Sequence, residues 1–328
     1  MIEEAVDTIL YDLDPQGQKH GWSDQYGAFF ILSDYTGIKI NENKRLYSHF
    51  MWMHGVPNKW DYNPPSMLVY FMKNKNFKYL VANLEQKRLL NSVGYKNVFA
   101  TGVPMLYVKE ENVERESGSL LVMPTHGLKG FVGHEKDKYD QYINFVKENS
   151  YKFKKICFCI GYHDIQNGHW INECRENGFE IIVGARNNDK KALKKQMILF
   201  KSFETMLTDG WGSHVAYALY FGCRVSISGP SMKFSEEDLL KDGTWQRDKL
   251  ALKNYLSDDT DRLINETLNR FMVLPEDAVF DVEYGKTLLG FDCKKKPAEF
   301  RSILRLNIYD ITLILKAYFS KYLSYKRR

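Results

Sequence analysis

From residue 119 to residue 227 the chain alternates short, unbroken apolar runs with longer stretches of helical periodicity. Ser119–Met123, Lys155–Ile160, Phe179–Val183, Phe203–Leu207 and Arg224–Ile227 are the apolar runs. Helical patterns fill the gaps at Lys138–Glu148, Gln166–Asn177 and Lys190–Phe200, and again over about ten residues after Ser213. Continuous rather than alternating apolar runs mean strands buried on both faces. Strands spaced by helices mean a parallel sheet with helical cover. Right-handed crossovers then bring every strand-end loop to one edge. Within the run 203–230, Ser213 has the chemistry of an N-cap and Gly222 that of a C′ residue, which bounds the fourth helix.

The first hundred residues show the same alternation with fewer clear units. Phe50–Met53, Tyr79–Ala82 and Val98–Ala100 read as strands, and Leu84–Ser92 as a helix. The polar, aperiodic stretch Glu110–Ser117 reads as a connection. The expected organisation is an N-terminal α/β domain over 1–110, a C-terminal Rossmann-like domain over 118–300 and a tail over 301–328. Further helices are expected around Glu236–Leu240 and Asp259–Phe271. In the tail, Leu304, Ile308, Ile311, Leu315, Tyr318 and Tyr322 recur at spacings of three and four, forming one apolar stripe on a helix.

Charge sharpens the picture of the tail. The chain of 328 residues carries a formal net charge of +5. Arg301–Arg328 alone holds seven Lys or Arg and one Asp, a net +6, so residues 1–300 stand at −1. A near-neutral body argues against a nucleic-acid coat and directs attention to one basic amphipathic element, the type that lies on an anionic bilayer. Packing of the stripe onto the domains is the competing reading. No apolar run is long enough to span a membrane and no leader-like segment opens the chain, so the expected location is cytoplasmic. Five cysteines, odd in number and without a Cys-x-x-Cys pair, read as reduced thiols.

Candidate chemistry gathers in the strand-end loops. His126 and Gly127 follow the first C-terminal strand, Gly161 to Asp164 the second, Arg186 to Asp189 the third, and Asp209, Gly212, Ser213 and His214 the fourth. A helix start presenting Gly212, Ser213 and His214 offers N–H groups and a positive dipole end to a phosphate. Arg186 adds a charge-assisted fork, while Asp189 and Asp209 either take a hydroxyl or hold Arg186. His54, after the first N-terminal strand, is the leading candidate for a general base toward an acceptor hydroxyl, with Asp34 and Asp61 as alternatives. Each of these residues is equally compatible with ordinary turn and cap chemistry.

Other motifs are missing. No Gly-x-Gly-x-x-Gly, Gly-Lys-Ser/Thr or Gly-x-Ser-x-Gly run occurs, and the histidines lack metal-ligand spacing. Asp12-Leu13-Asp14 stands too near the start to follow a nucleotide-binding half-domain.

The run Gly184-Ala185-Arg186-Asn187-Asn188-Asp189, then Phe203-Glu204, then Thr208 to Gly222, resembles bacterial GT-B glycosyltransferases of surface polysaccharide assembly. His54-Gly55 and Gly102-Val103-Pro104 are also similar to that group. The resemblance implies two Rossmann-like domains with parallel sheets facing a cleft and a nucleotide sugar held by the C-terminal one. It further implies metal-independent transfer, with no cofactor, to a glycan or lipid-linked acceptor at the inner face of the membrane. A nucleotide-sugar epimerase, which acts without an acceptor, and a binding protein that kept the cleft without the chemistry would share the architecture but not the transfer.

Overall fold

The computed structural model describes residues 25–38, 50–53, 55, 75, 78–127, 136–232, 234–241, 246, 252–253, 256 and 262–305. The Asp12-Leu13-Asp14 run, the candidate bases His54 and Asp61, and the tail stripe from residue 306 onward lie outside the described residues.

In chain order the N-terminal part comprises α1 (Ala28–Thr36), β1 (Phe50–Trp52), β2 (Lys78–Val81), α2 (Leu84–Ser92) and β3 (Asn97–Ala100), followed by a 3-10 turn at Pro104–Tyr107. The strands form a parallel sheet in the order β1-β2-β3. Asn83 starts α2 by accepting from the Gln86 N–H at 3.0 Å. The Gln86 side chain in turn accepts from the Ala82 N–H at 2.8 Å. This reciprocal cap fixes the turn out of β2.

The C-terminal part runs β4 (Glu116–Val122), α3 (Lys136–Asn149), β5 (Lys155–Ile160), α4 (Tyr162–Gln166), α5 (Ile171–Glu176), β6 (Glu180–Val183), α6 (Ala192–Ser202), β7 (Phe203–Thr208), α7 (Ser213–Tyr220) and β8 (Arg224–Ile227). Helices α8 (Glu236–Leu240), α9 (Arg262–Phe271), α10 (Val282–Leu289) and α11 (Pro297–Leu304) follow. The second sheet has the order β6-β5-β4-β7-β8, and every pair in it is parallel. The chain builds outward from β4 to one side and then returns to build on the other. The carboxyl ends of β4 and β7 therefore flank the point where the strand order reverses, the place where open parallel sheets bind ligands.

Both faces of this sheet are covered, as the unbroken apolar runs require. On β4, Leu121 packs with Cys157, Cys159 and Met206 on one side. Leu120 and Val122 pack with Tyr142, Phe158 and Trp170 on the other. The first of these clusters continues without a break into Phe29, Phe50, Trp52 and Tyr107 of the N-terminal part. All five cysteines are buried free thiols.

Two expected elements differ. The single helix anticipated over Gln166–Asn177 is split into α4 and α5, because Gly168 and Trp170 take positive φ values of 80° and 69°. A left-handed residue ends helical hydrogen bonding, and Trp170 is held there by burial against Tyr139 and Tyr142. Ser213 is the first residue of α7 rather than its cap; extended Gly212 occupies the N-cap and brings no side chain to it. Gly222, at φ 82°, ends the same helix as expected.

The last elements cross back to the N-terminal sheet. Phe300 of α11 meets Trp52 and Tyr107 edge-on, with ring centres 5.1 and 5.2 Å away. The Leu289 carbonyl accepts from the Val103 N–H at 3.1 Å. A side chain on Gly290 would drive into the Ala82 carbonyl, so that close approach requires glycine.

Candidate functional site

The switch-point crevice is walled by the loop 123–127 after β4 and by Asp209 to Gly212 after β7. Asp209 ties them together. One carboxylate oxygen accepts the Thr125 N–H at 2.6 Å; the other accepts the Thr125 hydroxyl at 3.0 Å and the Met232 N–H at 2.8 Å. The loops after β4, β7 and β8 are thus pinned by one side chain, whose lone pairs are committed to the protein.

Asp164 does the same on the other flank. Its carboxylate accepts the Gly127 N–H at 2.6 Å, lies 3.4 Å from His169 Nδ1 and is 3 % exposed. A Cβ on Gly127 or Gly161 would collide with that carboxylate, which explains glycine at both positions. His126 points to solvent, with Nδ1 3.2 Å from the Gly127 carbonyl oxygen.

The N-terminus of α7 opens into this crevice. Helix starts carry N–H groups without intrahelical partners and a partial positive charge, and here the N-cap position is a glycine, which has no side chain to cap them. His214 Nε2 sits 2.9 Å from Thr208 Oγ1 at the end of β7, and its ring covers Gly212, leaving no space for a Cβ there. Burial, reinforced by the nearby His126, lowers the His214 pKa to about 4, so the ring is neutral at physiological pH. The N-terminal part closes one wall: Gly55 abuts the Ser213 side chain, and no Cβ fits between them. Trp211 Nε1, in the same loop, is a buried donor without a protein partner.

Arg186 lies elsewhere along the edge. β6 is separated from β7 by β5 and β4, so strand spacing alone puts the Arg186 loop about 14 Å from α7. The Arg186 guanidinium stacks on the Tyr162 ring, 3.5 Å from its centre. Asp189, 3 % exposed, accepts the Lys191 N–H and the Lys195 ammonium, each at 2.8 Å. It therefore holds its own loop. Behind these residues is a small cavity of about 30 Å³, where the buried Gln196 Oε1 has no protein partner. The loop is braced from the N-terminal side, where the Tyr26 N–H donates to the Asn187 carbonyl at 2.9 Å and Gly27 packs on the Lys190 backbone. Asp34 is exposed on α1, two turns beyond that contact.

The structure therefore brings His126, Gly127, Gly161, Asp164, Asp209, Gly212, Ser213 and His214 to one crevice, and places Arg186 and Asp189 at a second station on the same edge. Thr125, Tyr162, Thr208, Trp211 and Gln196 were not singled out from the sequence. Thr208 ends an apolar strand and Thr125 lies in the loop that follows one, and those positions were the available clue to them. Among the described residues no group of three His, Cys, Asp or Glu is arranged to hold a metal ion.

No family model matches the chain, and no curated protein does. Among solved structures it is similar to a wall teichoic acid polymerase, TagF, at 13 % identity and a TM-score of 0.38, covering 86 % of this chain and 88 % of that one. S. aureus MnaA in a co-structure with UDP is also similar, at 13 % identity and a TM-score of 0.28, covering 64 % of this chain and 57 % of the other.

Proposed function

We propose that the protein is a GT-B-type glycosyltransferase that moves a sugar from a nucleotide-activated donor to a growing, lipid-linked cell-surface glycan of the lipopolysaccharide or capsule kind. The observation that carries this reading is the α7 N-terminus, whose N-cap is a glycine, opening at the switch point of a five-stranded parallel sheet. Its N–H groups and dipole suit the diphosphate of the donor, which becomes the leaving group. His214 meets that charge as a neutral imidazole, and Trp211 Nε1 offers a further donor.

The Arg186–Tyr162 stack and Gln196, about 14 Å along the edge, suit the base and ribose end of the same nucleotide. The acceptor oxygen attacks the anomeric carbon as the bond from that carbon to the diphosphate breaks. A base removes the acceptor proton, and His54 is proposed for this because Gly55, the next residue, abuts Ser213 at the cradle. Asp34 and Asp61 are the alternatives. In this scheme the helix end replaces the charge of a metal ion. The basic segment 301–328 is proposed to hold the protein on the anionic inner face of the membrane.

Calorimetry with nucleoside mono- and diphosphates and with the free nucleosides tests the site. A diphosphate should bind at least tenfold more tightly than its nucleoside, and Ser213→Asp should abolish that difference while leaving the helix start stabilised. If no nucleoside diphosphate binds, or if Ser213→Asp leaves its affinity unchanged, the proposal fails.

A further inference from the structure

A second cavity, far larger than the one beside Arg186, lies between the end of α1 and the last turn of α11. It is open to solvent, has a volume of about 470 Å³ and is lined by Ile38, Ala298, Arg301, Ser302, Leu304 and Arg305. None of these residues belongs to the crevice at the sheet edge. Its walls divide by chemistry. Arg301, Arg305 and Ser302 supply two guanidinium groups and a hydroxyl, whereas Ile38, Ala298 and Leu304 supply aliphatic surface.

Arg301 and Lys78 are held in place. Arg301 donates to the Thr36 carbonyl at 2.7 Å, which fixes its side chain across the end of α1. The Lys78 ammonium, 2 % exposed, donates to the Arg305 carbonyl at 3.0 Å. The carbonyl end of α11 would by itself repel an anion. Here the Lys78 charge sits on that end and the two arginines flank it.

The neighbouring acid is already engaged. Glu299, facing from the first turn of α11, accepts the Lys296 N–H at 2.8 Å. Residues 294–305 hold five Lys or Arg and one Glu. Among the described residues lining the cavity there is no carboxylate. The arginines as ordinary partners of a helix C-terminus would account for their charge, but not for an open cavity of this size between them.

We propose that this cavity binds a phosphate ester, with Arg301 and Arg305 gripping the phosphate, Ser302 donating to it, and Ile38, Ala298 and Leu304 covering the adjoining methylene groups. Arginine forks match phosphate oxygens two at a time, and the mixed lining fits an ester better than a bare anion. The ester comes either from a lipid headgroup or from a soluble phosphomonoester. The segment that follows, 306–328, carries five Lys or Arg against one Asp, so positive charge continues from the cavity into the tail. The lipid source thus rests on the membrane reading of the tail; the phosphate site does not.

Two ligands, each tested on the full chain, separate these possibilities. Soluble glycerol phosphate reads the cavity alone, by calorimetry. Phosphatidylcholine vesicles with and without phosphatidic acid read cavity and tail together, by co-sedimentation. The wild type should bind glycerol phosphate, and Arg305→Gln and Ser302→Asp should each weaken that binding at least fivefold with an unchanged melting temperature. Neither variant removes the Arg301 bond to α1, so both are expected to fold.

Vesicle binding that requires phosphatidic acid and falls by a similar factor in both variants assigns the site to a lipid headgroup. Arginine-dependent binding of glycerol phosphate without vesicle binding assigns it to a soluble ester and removes the membrane reading of the tail. Vesicle binding equal in wild type and variants, with no glycerol phosphate bound, overturns the cavity site and leaves the tail as the membrane contact. Binding of neither ligand overturns both.

Discussion

Asp209 illustrates how a single side chain serves this edge. Its two oxygens satisfy two backbone N–H groups and a hydroxyl drawn from loops that are far apart in sequence. Asp209→Asn keeps the shape but turns one oxygen into a donor facing an N–H. A charge-assisted bond is lost and a buried donor is left unpaired, a cost of about 2 kcal/mol that urea unfolding would measure. His214 makes a pH prediction. Its pKa of about 4 in the folded chain lies below the ordinary 6.5, so between pH 6.5 and 4 the unfolded chain binds a proton that the folded chain refuses. Stability from this residue is therefore complete above pH 6.5 and is lost on acidification toward pH 4, by at most about 3 kcal/mol. His214→Gln should flatten the stability-against-pH curve in that window, and an unchanged slope would place the group in water.

At the scale of elements, the parallel sheet needs its flanking helices fixed at their ends, and Arg115 supplies much of that. Its guanidinium donates to the Phe221 and Gly222 carbonyls at 2.5 Å each and to the Phe200 carbonyl at 3.4 Å. Its Nε reaches the Lys201 carbonyl at 3.3 Å. One planar fork thus closes the ends of both α6 and α7. Arg115→Ala should cost about 2–3 kcal/mol, and Arg115→Lys should recover less than half, because a point ammonium cannot reach both helix ends. Thermal unfolding of the two variants checks the ranking.

Nothing in the polar stretch 110–117 marks Arg115 from the sequence, since its partners are backbone carbonyls. The strands, by contrast, were legible as unbroken apolar runs, which only a doubly covered sheet requires. The split of the Gln166–Asn177 helix was not legible. Its cause is the burial of Trp170 in a left-handed conformation, and burial is a tertiary property.

For the molecule as a whole, the joint between the two sheets is apolar and shares residues from both ends of the chain. Phe300, fully buried against Trp52 and Tyr107, belongs to α11 yet packs on the N-terminal sheet. Phe300→Ala should destabilise by about 3–5 kcal/mol. Unfolding followed by both Trp fluorescence and circular dichroism should remain a single transition if the parts unfold together; two separated transitions would show that they are independent.

By itself the sequence determined what depends on local periodicity and composition. The parallel α/β class, the positions of the strand-end loops, the end of α7 at Gly222 and the concentration of charge after residue 300 all follow from spacing, glycine chemistry and counting. Tertiary structure alone decided which loops meet. It separated Arg186 from the α7 N-terminus by the width of three strand spacings, and it committed Asp164, Asp189 and Asp209 to holding loops. It also set Gly55 against Ser213 and brought Arg301 across to α1. The physical reason is that carboxylates and guanidinium groups act on whatever the fold places within hydrogen-bond reach, and strand order, unlike strand pattern, is set by packing between segments distant in the chain.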